Sequence, residues 1–83
     1  MEPNAKALIL ASLLHDIGKF MQRAGVALDD RYERIRDVGE HGAHARWSAM
    51  YITRVLKDAL IEDLVLYHHA LRSSKNPELA EIV

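Results

Sequence analysis

His15 and Asp16 stand side by side in the segment Leu13-Leu14-His15-Asp16-Ile17-Gly18-Lys19, two hard metal-ligand types within an otherwise apolar stretch of helical character. Neighbouring residues on a helix point about 100° apart, so the two side chains can close on one cation, or share a pair of cations through a bridging carboxylate. Lys19 follows His15 by four residues and Asp16 by three, which sets its ammonium on the same face, where a cation suits a phosphate. Gly18 gives up about 1 kcal/mol of helix propensity relative to alanine. That cost makes sense where something approaches the backbone closely or the helix bends. A packing reading of the same residues has Asp16 capping a second helix, His15 as a satisfied, partly buried histidine and Lys19 in solvent.

The five histidines fall in three groups, His15, His41/His44 and His68/His69, which is more imidazole than a small core needs. Imidazole is the commonest metal ligand, and each group lies at an expected helix end or in the adjoining loop, so several helices can converge on one cavity. Each group also has a plainer reading. His41 and His44, three apart, can be a loop charge cluster, and one of His68 and His69 is expected to face away from the other. The chain has no cysteine, which excludes a disulfide framework, a thiolate zinc site and a cysteine nucleophile. With nitrogen and oxygen as the only donors, Mn, Fe, Co or Ni fit as well as Zn, while Mg prefers more carboxylates.

Helices must position these groups. After Pro3 and Asn4, a candidate N-cap, residues 5–23 run with no breaker except Gly18, as one long helix or two with a bend. Leu8, Leu10, Leu13, Leu14, Ile17, Phe20 and Met21 cover more than one stripe, which suits a central helix buried on several sides. Ala24-Gly25 ends it. Residues 26–42 read as a long loop with a short helical turn, and this loop delivers His41 and His44. A helix is expected from His44 to Lys57, with Trp47, Met50, Tyr51, Val55 and Leu56 on one apolar face and Trp47 as core rather than catalyst. Another runs from Leu60 to Leu71, burying Leu60, Ile61, Leu64, Val65, Leu66 and Tyr67. Ser73 to Asn76 break the chain, and Pro77 opens a last helix. No alternating run would make a sheet, so the class is all-α, with four to five helices.

Eighty-three residues make one small domain with a thin stability margin. A hydrophobic fraction of 49% with 28% charged residues argues against disorder. The net charge of −1 gives no global basic field for nucleic acid, so phosphate contacts must be local. The longest apolar run, Ala7 to Leu14, is too short to span a bilayer and is broken by Ser12, and no basic region precedes it. A cytoplasmic protein with no membrane association is expected.

The motifs LLHDIGKFMQRAG, HARWSAMYI and YHHALRSSKNPELAEIV, in that order, resemble the N-terminal HD nuclease domain of the large subunit of type III CRISPR effector complexes, subtype III-A in particular. HDIGK by itself points only to the broad HD phosphohydrolase superfamily. The Phe20 and Gln22-Arg23 that follow it, the Trp47-Ser48 pair and the double histidine narrow the resemblance, which covers nearly the whole chain. In the superfamily a first histidine normally precedes the His-Asp pair. None precedes His15 here, in agreement with the circularly permuted arrangement of that domain.

The resemblance implies that His15 and Asp16 are metal ligands, with Asp16 able to bridge two ions, that Lys19 sits at the phosphate, and that His44 and His68 are further ligands with His69 a partner. His41 has no clear counterpart. One or two divalent transition metal ions, Mn, Ni or Co, are the expected cofactor, and the expected activity is hydrolysis of phosphodiesters in single-stranded DNA during antiviral defence. Asp16 and Lys19 would carry the chemistry while Arg23, Arg46 and Arg72 guide the strand, without base reading. A second reading gives the same site a nucleotide or cyclic nucleotide, and a third makes the chain an inactive docking module. The resemblance also implies an aspartate beyond the last helix, which is absent here, so residues 1–83 are expected to be a partial domain of a longer subunit that contacts guide RNA and other subunits. Weak metal binding and self-association through Leu79, Ile82 and Val83 are the corresponding expectations.

Overall fold

The computed structural model describes residues 2–40 and 42–83, and every regular element among them is helical. In order these are α1 (Pro3–Leu14), α2 (Ile17–Arg23), the single-turn α3 (Asp30–Glu33), α4 (Ala45–Val55), α5 (Ala59–Tyr67), a 3-10 turn at Leu71–Ser73 and α6 (Pro77–Ile82). The all-α class holds, with five helices longer than one turn. No helix among the described residues is long and apolar enough to cross a membrane. His41 lies outside the described residues, so the expectation attached to it has no structural counterpart.

Local chemistry sets the boundaries. α1 is capped by Glu2, whose carboxylate accepts the Asn4 and Ala5 N–H groups, with Pro3 in the first turn. Asn4 is therefore not the cap: the longer glutamate reaches both orphan amides from two residues further out. α2 closes on Gly25 at φ 76°, with the Val26 N–H reaching back to Met21 and the Gly25 N–H to Gln22, a left-handed stop that glycine adopts without strain. Asp58 caps α5 by accepting the Ile61 N–H at 3.0 Å.

α5 is the central helix. α1, α4 and α6 pack on it, and α2 packs on α4. One core cluster joins Ala7 and Ala11 of α1 to Ile52, Ile61, Leu64, Val65 and Ala80, while a second joins Tyr32 and Val38 to Ala49, Met50 and Leu66. The expectation that the first helix is central and buried on several sides is corrected. Only Ala7 and Ala11 of α1 are fully buried, and Leu13 and Phe20 are 74% and 69% exposed. Two small residues one turn apart let α1 lie close against α5, and the break after Leu14 turns the larger apolar groups outward. Val55 and Leu56 are likewise exposed, because the chain leaves α4 at Lys57 in a left-handed conformation. Trp47 is partly buried in the second cluster, with its indole N–H donating to the Val26 carbonyl at 2.6 Å. Of the last helix, Leu79 and Val83 pack on the first cluster and Ile82 is exposed.

Candidate metal centre

Four helix ends meet at one place. His15 is the C-cap of α1, Asp16 the N-cap of α2, His44 the N-cap of α4 and His68 the C-cap of α5. The His-Asp pair therefore occupies the break between two helices rather than a helix interior. Asp16 caps α2 through its backbone alone, its carbonyl accepting the Lys19 N–H, so its carboxylate makes no cap hydrogen bond and points elsewhere. It lies 3.2 Å from His15 Nε2, 3.4 Å from His44 Nε2 and 3.5 Å from Lys19 Nζ.

The histidines converge. The rings of His15 and His68 are 5.2 Å apart edge to face, and those of His44 and His69 5.5 Å. Two sets of ligand atoms lie within 4.8 Å of one another: His15, Asp16 and His68, and His44, His68 and His69, with His68 common to both. His68 and His69 had been expected to face apart. The helix ends at Tyr67, so the following backbone is free to turn, and their rings lie 4.1 Å from each other.

Hydrogen bonding assigns the imidazole tautomers. His15 Nδ1 and His68 Nδ1 each lie 2.6 Å from a backbone carbonyl, of Ser12 and Val65 respectively. A carbonyl can only accept, so each Nδ1 carries a proton, which puts the lone pair of the neutral ring on Nε2. His15 Nε2 lies 3.2 Å from an Asp16 carboxylate oxygen, a separation that a proton or a metal cation between them would bridge. His44 Nε2 and His68 Nε2 are buried and have no hydrogen-bond partner among the described residues. A buried nitrogen without a hydrogen bond costs about 1–3 kcal/mol, a cost that coordination to an ion would offset. A backbone carbonyl orienting the remote ring nitrogen is the usual support of a metal-binding imidazole.

The electrostatics agree. Burial pushes the His68 imidazole down to about 4, with the neighbouring histidines adding to the effect. Burial, with Lys19 next, also lowers His44. Both rings are neutral near pH 7, the form that binds metals. Burial alone would raise the Asp16 carboxyl, but His15, Lys19 and His44 together outweigh it and hold it below the usual carboxylate range. The donor set of neutral imidazoles and one ionised carboxylate fits a divalent transition metal.

Other expected residues lie differently. Lys19 joins the centre through Asp16. Arg46 is held by the loop, donating to the carbonyls of Ala43 and Glu33 with its guanidinium over the Trp47 ring. Arg23, at the end of α2, and Arg72, in the 3-10 turn, are exposed and make no hydrogen bond or ion pair among the described residues. Sequence reasoning passed over Ser48, which is fully buried beside the pair: its Oγ accepts the Gly18 N–H at 2.7 Å and donates to the His15 carbonyl at 3.0 Å. The signal available was a lone hydroxyl on the face of α4 that otherwise carries Ala45, Ala49 and Ile52. It also passed over Asp63, which accepts from Ser74 Oγ and the Lys75 N–H and anchors the segment ahead of α6.

Comparison with known proteins gives one match. The family model described as HD domain matches residues 1–83. Searches of curated proteins and of solved structures gave none.

Proposed function

The chain belongs to the HD domain family, and from that premise we propose that it is a metal-dependent phosphodiesterase that cuts single-stranded DNA within a type III CRISPR effector complex. The family's members are generally metal-dependent hydrolases. The observation that supports the reading is the pair of buried nitrogens, His44 Nε2 and His68 Nε2, that make no hydrogen bond among the described residues while an ionised Asp16 lies 3.4 Å from the first of them. The finer assignment rests on the resemblance of the three motifs to the large-subunit nuclease domain, with other subunits and guide RNA as partners of a longer protein.

In this reading His15, Asp16, His44 and His68 hold one or two ions, Mn, Ni or Co, with His69 in reach of His44 and His68. When bound, such ions supply Lewis acidity at a phosphate and make a water acidic enough to attack near neutral pH. The chain's own residues prepare the rest. His44 and His68 offer lone pairs without first losing a proton, and the carbonyls of Ser12 and Val65 fix the ring orientations of His15 and His68. The Lys19 ammonium, about half exposed, is placed to pair with a non-bridging phosphate oxygen as charge develops. Water adds at phosphorus while one bond to a sugar oxygen breaks, leaving a phosphomonoester and an alcohol.

Single strands are favoured because Asp16 and Lys19 reach solvent while His44 lies buried beneath them. A flexible strand can lower one phosphate into such a depression, whereas a duplex holds its backbone too stiffly. Arg23 and Arg72 are free to steer it electrostatically. The test is cleavage of single-stranded DNA, duplex DNA and mononucleotides with Mn, Ni, Co and Mg compared. Fast single-strand cutting with slow duplex cutting is the expected outcome. Rapid nucleotide hydrolysis without strand cleavage would assign a small substrate, and no hydrolysis by a folded, metal-loaded protein would assign a docking role.

A further inference from the structure

Ser48 touches both halves of the metal centre at once. The break between α1 and α2 releases backbone groups that have no partner in their own helices, among them the His15 carbonyl and the Gly18 N–H. One hydroxyl satisfies both, accepting from Gly18 at 2.7 Å and donating to His15 at 3.0 Å. The Ser48 N–H in turn donates to the His44 carbonyl at 3.2 Å, so a single residue is bonded to the backbone of two candidate ligands and to the residue two beyond a third. Gly18 makes the approach possible. A Cβ there would overlap the His44 carbonyl oxygen and the Ser48 side chain, so the close contact of α2 with the start of α4 depends on its absence.

We propose that Ser48 is a positioning residue of the metal centre: its hydroxyl clamps the His15–Asp16 turn to the first turn of α4 and holds His15 and Asp16 in register with His44 before an ion arrives. The inference rests on the metal reading above and deepens it. The residue touches neither ion nor substrate. Its effect is on the distance and angle at which three donors from three helix ends face one another. Because all its partners are main-chain groups, the clamp orients the ligands' backbone, while the carbonyls of Ser12 and Val65 orient the rings of His15 and His68. A centre assembled from four helix ends has no single rigid element to set its geometry, so a cross-link of this kind has a function that ordinary packing does not supply.

The test is cobalt(II) binding by the full-length protein, followed through the visible absorption of the bound ion, in the wild type, Ser48→Ala, Asp16→Ala and Ile52→Val. Ile52 is a buried residue of the same helix outside the centre, and its variant controls for lost stability alone. Ser48→Ala is expected to weaken cobalt binding about 10- to 100-fold, as loss of supporting contacts around ligands does, and to change the absorption band of the ion that still binds. Ile52→Val is expected to lower the melting temperature and leave affinity and spectrum unchanged. Unchanged affinity and spectrum in Ser48→Ala, beside loss of binding in Asp16→Ala, would overturn the role of Ser48 while leaving the metal reading intact. No binding by the wild type would overturn the metal reading and this role with it. If Ser48→Ala does not fold, amide exchange in the wild type decides: a Gly18 amide already protected in the metal-free protein supports the clamp, and one protected only after metal is added refutes it.

Discussion

At Asp16 the carboxylate faces two imidazole nitrogens and an ammonium but makes no contribution to apolar packing. Asp16→Ala is therefore expected to abolish strand cleavage and reduce metal binding while leaving the far-UV circular dichroism unchanged, since a ligand is lost and no core volume is. Cleavage at the wild-type rate would remove the reaction from this pair. His68 leads to a dependence on pH. Its imidazole is held down to about 4 in the fold, chiefly by burial, against 6.5 in the unfolded chain. Between these values the unfolded chain binds a proton that the folded one refuses, so stability rises with pH across the window and is lost as pH falls from about 6.5 toward 4. His44, shifted the same way, adds to it. The metal-free protein is expected to melt at a lower temperature at pH 5 than at pH 7.5, and a flat profile over that range would contradict the assignment of both rings as neutral.

Among the helices, the contact of α2 with α4 is the one on which the centre depends. Gly18 lies where any side chain would meet the His44 carbonyl oxygen and Ser48. Gly18→Ala gains helix propensity, yet the overlap with backbone is expected to cost about 1–3 kcal/mol by analogy with overpacked cores, so a net loss of stability is anticipated in denaturant titration. A stabilised variant would mean that α2 and α4 are not in this contact. The sequence signals for the helices held at two positions where chemistry was local: Gly25 stops α2 and Pro77 opens α6. They failed at Asn4, whose expected capping role Glu2 takes, and where burial was inferred from periodicity alone. α1 is apolar on several faces, but its partner α5 covers only one of them, and nothing in the residues of α1 says which.

As a whole, an 83-residue domain has little stability to lose, of the order of 4–12 kcal/mol at roughly 0.05–0.15 kcal/mol per residue. Leu64 is fully buried in α5, the helix on which α1, α4 and α6 all pack. Leu64→Ala is expected to cost about 2–5 kcal/mol, a large part of that total. If the helix ends do form an ion site, a divalent ion binds only the folded chain and raises the melting temperature by mass action, so manganese or cobalt should recover part of the loss. No recovery, with the wild type equally indifferent to the ion, would count against a metal centre in this fold.

The residues alone determined that the chain is helical, that nitrogen and oxygen are its only strong donors, and that the His15-Asp16 pair and the groups His41/His44 and His68/His69 are the ones to watch. Those conclusions follow from composition, breakers and periodicity, which are local properties. Only the tertiary structure decided that the pair sits in a helix break, that His68 and His69 both turn toward the same cluster, and that Ser48 bonds the His15 carbonyl and the Gly18 N–H while the carbonyls of Ser12 and Val65 meet the rings of His15 and His68. The physical reason is that these depend on where separate helices end in space. An imidazole's tautomer is set by the carbonyl it meets, and a hydroxyl's role by the two orphan groups that packing brings to it.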